Sequence, residues 1–137
     1  MKLIHKIYGT GQPLIIMHGL FGSGDNWRSI ARMMEPHYQS IVVDMRNHGR
    51  SPHDPEMNFQ VMADDILELM TDLKLEKVSL LGHSMGGKVA MQFSLLYPAL
   101  VEKLIVVDIA PKYYPPHHDV VIEAIESIDP KQLTDRM

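Results

Sequence analysis

The sequence predicts an α/β fold, a mostly parallel sheet with helices on both faces. Two observations predict it. Apolar runs of strand length alternate with apolar stripes at helical spacing along the chain. One such run, 78–81, passes through Gly82-His83-Ser84-Met85-Gly86 straight into a helical stripe, so a strand, a very tight turn and a helix follow without a linker.

The elements can be justified in order. Residues 3–8 read as a first strand, 10–13 (Thr-Gly-Gln-Pro) as a turn, and 14–17 as a short buried strand. A glycine-rich loop, 18–24, follows. Asp25 or Asn26 is placed to cap a helix with Trp27, Ile30, Ala31 and Met34 on one face, closed by Pro36. Residues 40–44 form the next strand and 45–55 a long polar loop. Asn58 caps a helix with Phe59, Met62, Ile66, Leu69, Met70 and Leu73 at helical spacing. Strands 78–81 and 104–107 flank a helix with Val89, Ala90, Phe93 and Leu96 inward, stopped near Pro98. After Asp108 comes an irregular segment, 110–116, and then an amphipathic helix over 118–128. The expected layout is an N-terminal core portion, 1–110, and the start of a cap or lid, 111–137. A sheet ending at 104–107 exposes a hydrophobic edge strand, which proteins avoid, so the later core strands are expected to be absent from this chain.

Composition narrows the function. The hydrophobic share is 45% and the charged share 22%, the balance of a soluble globular protein. The net charge is −4 with signs interspersed, so no basic stripe points to nucleic acid. There is no cysteine, which excludes disulfides, thiolate catalysis and cysteine-based zinc sites. The N-terminus lacks the apolar run of a signal peptide and no stretch is long enough for a membrane span, so a cytoplasmic location is expected. The 11 methionines read as adaptable core filler or as soft lining of an acyl pocket.

The chemistry centres on Ser84. Gly82 and Gly86 flank it at two residues' distance, where a sharp turn leaves no room for side chains. The helix N-terminus beneath it presents backbone N–H groups to a developing oxyanion. A neutral serine needs a general base, and the chain has 8 histidines: His5, His18, His37, His48, His53, His83, His117 and His118. None is well placed for that role: His83 adjoins the serine but should point away from it. A metal site from His5 with His53, or from His117 and His118, lacks a supporting carboxylate set; no metal and no cofactor is expected.

Four segments occur together in order: His-Gly-Leu-Phe-Gly-Ser at 18–23, Val-Asp-Met-Arg-Asn-His-Gly at 43–49, Gly-His-Ser-Met-Gly-Gly-Lys at 82–88 and Val-Asp-Ile-Ala-Pro at 107–111. The combination resembles the α/β-hydrolase superfamily, and within it the YbfF-type bacterial esterases, which act on acyl esters and acyl-CoA thioesters. The resemblance implies that Ser84 sits on a nucleophile elbow. It implies an oxyanion hole from the N–H groups of Met85 and Leu20, with Phe21 as the alternative to Leu20. It implies Asp108 as the triad acid, at the end of the strand beside the nucleophile strand. Phe21 and His83 become candidate substrate contacts. His18 is expected to brace the His-Gly loop, and Arg46 to pin the loop after Asp44. A serine in place of an aspartate argues against haloalkane dehalogenase or epoxide hydrolase chemistry.

The resulting expectation is a serine esterase acting on small acyl esters or thioesters through an acyl-enzyme. The family order puts the catalytic histidine after a final strand, so competence needs a complementary C-terminal half, in the same protein or another chain. Carbon–carbon bond hydrolysis or a lyase reaction on the same scaffold, and a non-catalytic ligand-binding module, remain open beside it.

Overall fold

A computed structural model describes residues 1–115 and 119–127. In chain order the elements are β1 (His5–Tyr8), β2 (Gln12–Met17), α1 (Arg28–Met34), β3 (Tyr38–Val43), α2 (Phe59–Asp72), β4 (Val78–His83), α3 (Met85–Leu96), β5 (Val101–Val107) and α4 (Asp119–Glu126). The five strands form one sheet in the order β1-β3-β2-β4-β5. β1 pairs antiparallel with β3, and the other pairs are parallel.

Both faces of the central strands are covered. Leu14, Ile16, Val42 and Leu81 pack with Ala31 of α1 on one face. Ile15, Met17, Ile41, Val43 and Leu80 pack on the other with residues of α2 and α3, among them Met62, Ile66, Val89 and Phe93. Burial on both faces explains why 14–17 and 78–81 read as unbroken apolar runs without strand alternation. Met17, Met45, Met62 and Met70 are fully buried core residues.

Local differences from the sequence-based expectation have physical reasons. The first strand begins at His5 instead of residue 3, because Leu3 is already turned into the core. The strands over 14–17, 40–44, 78–81 and 104–107 extend or shift to the limits given above, since ladder pairing reaches polar residues that hydropathy alone passes over. The helix near residue 25 opens earlier, with a 3-10 turn over Gly24–Trp27. Asn26 Oδ1 reaches back to accept the Ser23 N–H at 2.8 Å, and Asp25 turns outward to Lys6, Arg28 and Arg50. Arg28 and Lys6 hold its exposed carboxyl down to about 2, the Arg28 hydrogen bond first among the causes. Asn58 caps α2 as expected, its Oδ1 accepting the Val61 N–H at 2.9 Å. Leu96 and Ile30, expected inward, are exposed. The helix expected over 118–128 is observed as α4, and His118 and Ile128 lie outside the described residues, as does His117.

Two consequences position the site. The register Gly82↔Val106 and His83↔Val107 brings the carboxyl ends of β4 and β5 level. β5 is also the outer strand of the described sheet, and Leu104 and Ile105 on it are exposed.

Candidate active site

Ser84 joins β4 to α3 with φ 50° and ψ −114°. A non-glycine residue held there costs on the order of 1–3 kcal/mol, and such strain persists only where the surroundings impose it. They do so through three backbone bonds. Ser84 N–H donates to Val107 O of β5 at 3.0 Å, Gly86 N–H to His18 O beyond β2 at 3.1 Å, and Lys88 N–H to Ser84 O at 3.1 Å. The flanking glycines are steric requirements. A Cβ on Gly82 would lie 2.2 Å from Gly86 O, and one on Gly86 would lie 2.4 Å from Met17 O.

Ser84, Met85, Leu20 and Asp108 line one open cavity of about 860 Å³. Its apolar wall comes from Met57, Phe59 and Met62 around the start of α2, and from Tyr113. A second open cavity of about 520 Å³ lies beyond Leu20, lined by Phe21, Trp27, Ile30 and His83. Leu20 therefore borders both, and Phe21 and His83 belong to the second. The His83 ring stands 6.0 Å from that of Trp27. Exposure of Ile30 and Phe59, unexpected from their helical spacing, is accounted for by their place in these walls.

The oxyanion candidates differ in what their N–H groups do. Among the described residues, the N–H groups of Leu20 and Met85 have no hydrogen-bond partner. The Phe21 N–H, the alternative considered from sequence, is occupied: it donates to His48 Nε2 at 3.1 Å. Met85 opens α3, so its N–H carries the positive end of the helix dipole.

Asp108 follows β5 directly, with φ 57°. Its carboxylate is 86% exposed at the rim of the Ser84 cavity, with Oδ2 3.9 Å from His83 Nε2. The segment after it is fastened to α3 by Lys88, whose Nζ donates to Ala110 O at 2.8 Å and to Lys112 O, and stands 5.0 Å from the Tyr114 ring centre. Sequence reasoning assigned no role to Lys88, although it closes the Gly-His-Ser-Met-Gly-Gly-Lys segment.

Among the described residues, no histidine is hydrogen-bonded to the Ser84 hydroxyl. His5 bonds to Leu3 O at 3.1 Å, and His37 and His53 are exposed. His18 and His48 are buried, each held at both ring nitrogens. Burial pushes the His18 imidazole below its ordinary value, and the neighbouring His48 adds to this against the opposing pull of the Gly19 carbonyl and Asp44. Arg46 pins the loop after β3 as expected. Its Nε and Nη2 grip both Asp65 oxygens at 2.7 and 2.9 Å, and its Nη1 reaches Glu56 O. Asp65 holds the guanidinium above its usual range. Among the described residues, no three His, Asp or Glu side chains converge as a metal site.

Comparison with known proteins sets these features in a family. Residues 12–134 match the alpha/beta hydrolase fold family. The chain belongs to the α/β-hydrolases. A putative esterase/lipase of Haemophilus influenzae is 52% identical over 101 residues, 74% of this chain and 35% of that protein. Esterase YbfF of Escherichia coli is 41% identical over 120 residues, 87% of this chain and 47% of that one. The solved structure of a marine microorganism esterase is 46% identical, with a TM-score of 0.93 over 98% of this chain and 54% of its own. This α/β-hydrolase chain thus spans between a third and about half of the lengths of these relatives. No described helix is long and apolar enough to cross a membrane.

Proposed function

We propose that this chain carries the nucleophile and oxyanion half of a serine esterase for carboxylic esters or thioesters of short or medium acyl chains. The observation that carries the reading is the strained Ser84 turn, opening with two unpaired backbone N–H groups onto an apolar cavity. In this reading Ser84 Oγ attacks the acyl carbonyl and its proton passes to a histidine. The carbonyl oxygen becomes an oxyanion between the N–H groups of Leu20 and Met85, where aligned donors stabilise the transition state. The histidine returns the proton to the departing alcohol or thiol. Water then repeats the attack on the acyl-enzyme and releases the acid. Asp108 orients that histidine and stabilises its charged form. The strained turn aids reaction by presenting the hydroxyl already aimed, so little reorganisation is needed at the moment of attack.

The esterase names of the relatives support the substrate class. The histidine is assigned to a C-terminal portion of the kind that makes up the rest of the relatives' length, and the segment from residue 111 is assigned to the lead into a cap over the cavity. The methionines at 57, 62 and 85 suit an acyl chain because unbranched thioether side chains adapt to variable apolar shapes.

The test is p-nitrophenyl ester hydrolysis by the 137-residue chain alone and by the same chain extended with the C-terminal half of YbfF-type esterases. The extended form should turn over and the short one should not. Full activity of the short chain would overturn the assignment of the base. Ser84→Ala in the active form should lower kcat by at least about a thousandfold; an undiminished rate would remove Ser84 as nucleophile. A fluorophosphonate probe should label Ser84 in the active form, whereas a passive ligand-binding serine would stay unlabelled.

A further inference from the structure

The loop after β2 and the loop after β3 exchange histidines. His18, on the first, accepts the Met45 N–H of the second at its Nε2 (3.0 Å). His48, on the second, accepts the Phe21 N–H of the first at its Nε2 (3.1 Å). Each ring uses its other nitrogen on a carbonyl of its own loop, His18 Nδ1 on Gly19 O at 2.7 Å and His48 Nδ1 on Arg46 O at 2.8 Å. A carbonyl oxygen only accepts, so each Nδ1 carries the proton; a backbone N–H only donates, so each Nε2 offers a lone pair. Both rings are therefore the neutral Nδ1–H tautomer. They are 1% and 8% exposed, with centres 5.1 Å apart.

The two rings clamp the two peptide planes on either side of Leu20. Gly19 O, which receives His18 Nδ1–H and the Gly22 N–H at 3.0 Å, belongs to the Gly19–Leu20 plane. In a planar trans peptide the N–H points opposite to the C=O, so fixing Gly19 O fixes the direction of the Leu20 N–H. The next plane, Leu20–Phe21, is held by the bond to His48. That plane needs holding, because Phe21 sits at φ 63° with its side chain more than half exposed. A left-handed conformation is unfavourable for an L-residue and is not maintained by local preference.

We propose that His48 is a positioning residue for acyl transfer at Ser84. By taking the Phe21 N–H it selects the Leu20 N–H as the loop's oxyanion donor and keeps it aimed at the cavity. The proposal rests on the esterase reading above. His48 touches no substrate atom in this role: it acts through the backbone.

The experiment compares His48→Phe, which keeps a ring and loses the acceptor, with His48→Gln, whose amide oxygen can reach the same N–H. In the form active on p-nitrophenyl esters, His48→Phe should lower kcat about 10- to 100-fold with KM within about twofold, part of the loss caused by deleting an oxyanion donor outright. His48→Gln should recover most of that loss. Equal damage from both variants, or a change confined to KM, would overturn the proposal, and so would an unchanged kcat in His48→Phe. A second readout needs no substrate. Nitrogen NMR of the 137-residue chain should show His48 protonated at Nδ1 only, with its Nε2 coupled across the hydrogen bond to the Phe21 amide. An Nε2–H tautomer would overturn the proposal. Failure of the esterase reading is seen separately, as hydrolysis that survives Ser84→Ala while the His48 tautomer and coupling stand.

Discussion

The Gly86 N–H donates to His18 O at 3.1 Å. This one bond joins the first turn of α3 to the loop that carries the second oxyanion candidate, so Met85 and Leu20 are held by neighbouring pieces of backbone. The approach leaves no space for a side chain, since a Cβ on Gly86 would lie 2.4 Å from Met17 O and 2.7 Å from His18 O. Backbone cannot yield as a flexible side chain does. Gly86→Ala should therefore push α3 away from β2, with a stability loss of about 2–3 kcal/mol, in the range of overpacked sites. It should also lower ester turnover by more than it raises KM. Urea denaturation together with steady-state kinetics checks both. A variant as stable and as active as the parent would show that the two backbones can separate freely.

Arg46 and Asp65 form a nearly dry ion pair, with side chains 8% and 2% exposed. Removing Asp65 leaves the buried guanidinium with only the more distant, half-exposed Asp54 at 3.8 Å, whereas removing Arg46 leaves Asp65 still paired with the Met1 ammonium at 3.0 Å. Asp65→Ala is expected to cost about 3–5 kcal/mol, the range for a broken buried pair, and Arg46→Ala less than that, because the Met1 ammonium still compensates Asp65. Arg46→Met combined with Asp65→Leu should recover much of the loss, because two apolar groups of similar volume bury no charge. The loop after β3 would still lack its anchor on Glu56 O. Thermal melts of the three variants test this ordering, and a double variant no better than either single change would contradict it.

How much of this was legible beforehand depended on the range of the interactions. Ser84 and its glycines could be read because strand, turn and helix are contiguous and the steric demand falls at fixed spacing. Asn58 could be read as a cap for the same reason. Asn26 misled because its oxygen serves Ser23 behind it instead of opening a helix ahead of it. Ile30 and Phe59 misled because an exposed apolar residue at a cavity wall has the same helical spacing as a core residue. The clasp of His18 and His48 was only half legible. A brace at His18 followed from the family resemblance, but the bond from Phe21 to His48 spans 27 positions and depends on two loops meeting. The tie from Lys88 to the segment after Asp108 is equally non-local.

His18 gives stability a dependence on acid. Its imidazole is buried and neutral, and burial sets its folded value below the ordinary 6.5. Below 6.5 the unfolded chain binds a proton that the folded chain does not, so stability rises with pH across the window between the depressed folded value and 6.5. The contribution is fully present above that window and is lost as pH falls through it. One proton corresponds to a slope of at most about 1.4 kcal/mol per pH unit. Urea midpoints measured from pH 7.5 down to pH 5 should fall accordingly. His18→Asn should be less stable throughout, since the Met45 N–H loses its acceptor, but its acid-side slope should be shallower by that one proton. An unchanged slope would mean that His18 takes up its proton equally in the folded and the unfolded chain over this range.

Strain at Ser84 predicts an opposition between stability and activity. The residue occupies φ 50° and ψ −114°, a region glycine enters at little cost and serine does not. Ser84→Gly should relieve an energy on the order of 1–3 kcal/mol. It should also give back roughly 0.5–1 kcal/mol, because the unfolded chain gains freedom with the added glycine. The net expectation is a variant more stable by about 1 kcal/mol. Ser84→Ala removes the same hydroxyl while keeping the Cβ that causes the strain, so it should show little of that gain. Comparing the two separates the hydroxyl from the backbone: both should be inactive, and only the glycine variant should melt appreciably later. Equal melting of Ser84→Gly and Ser84→Ala would show that the turn imposes no strain on a side-chain-bearing residue, and that the elbow is held without opposing local preference.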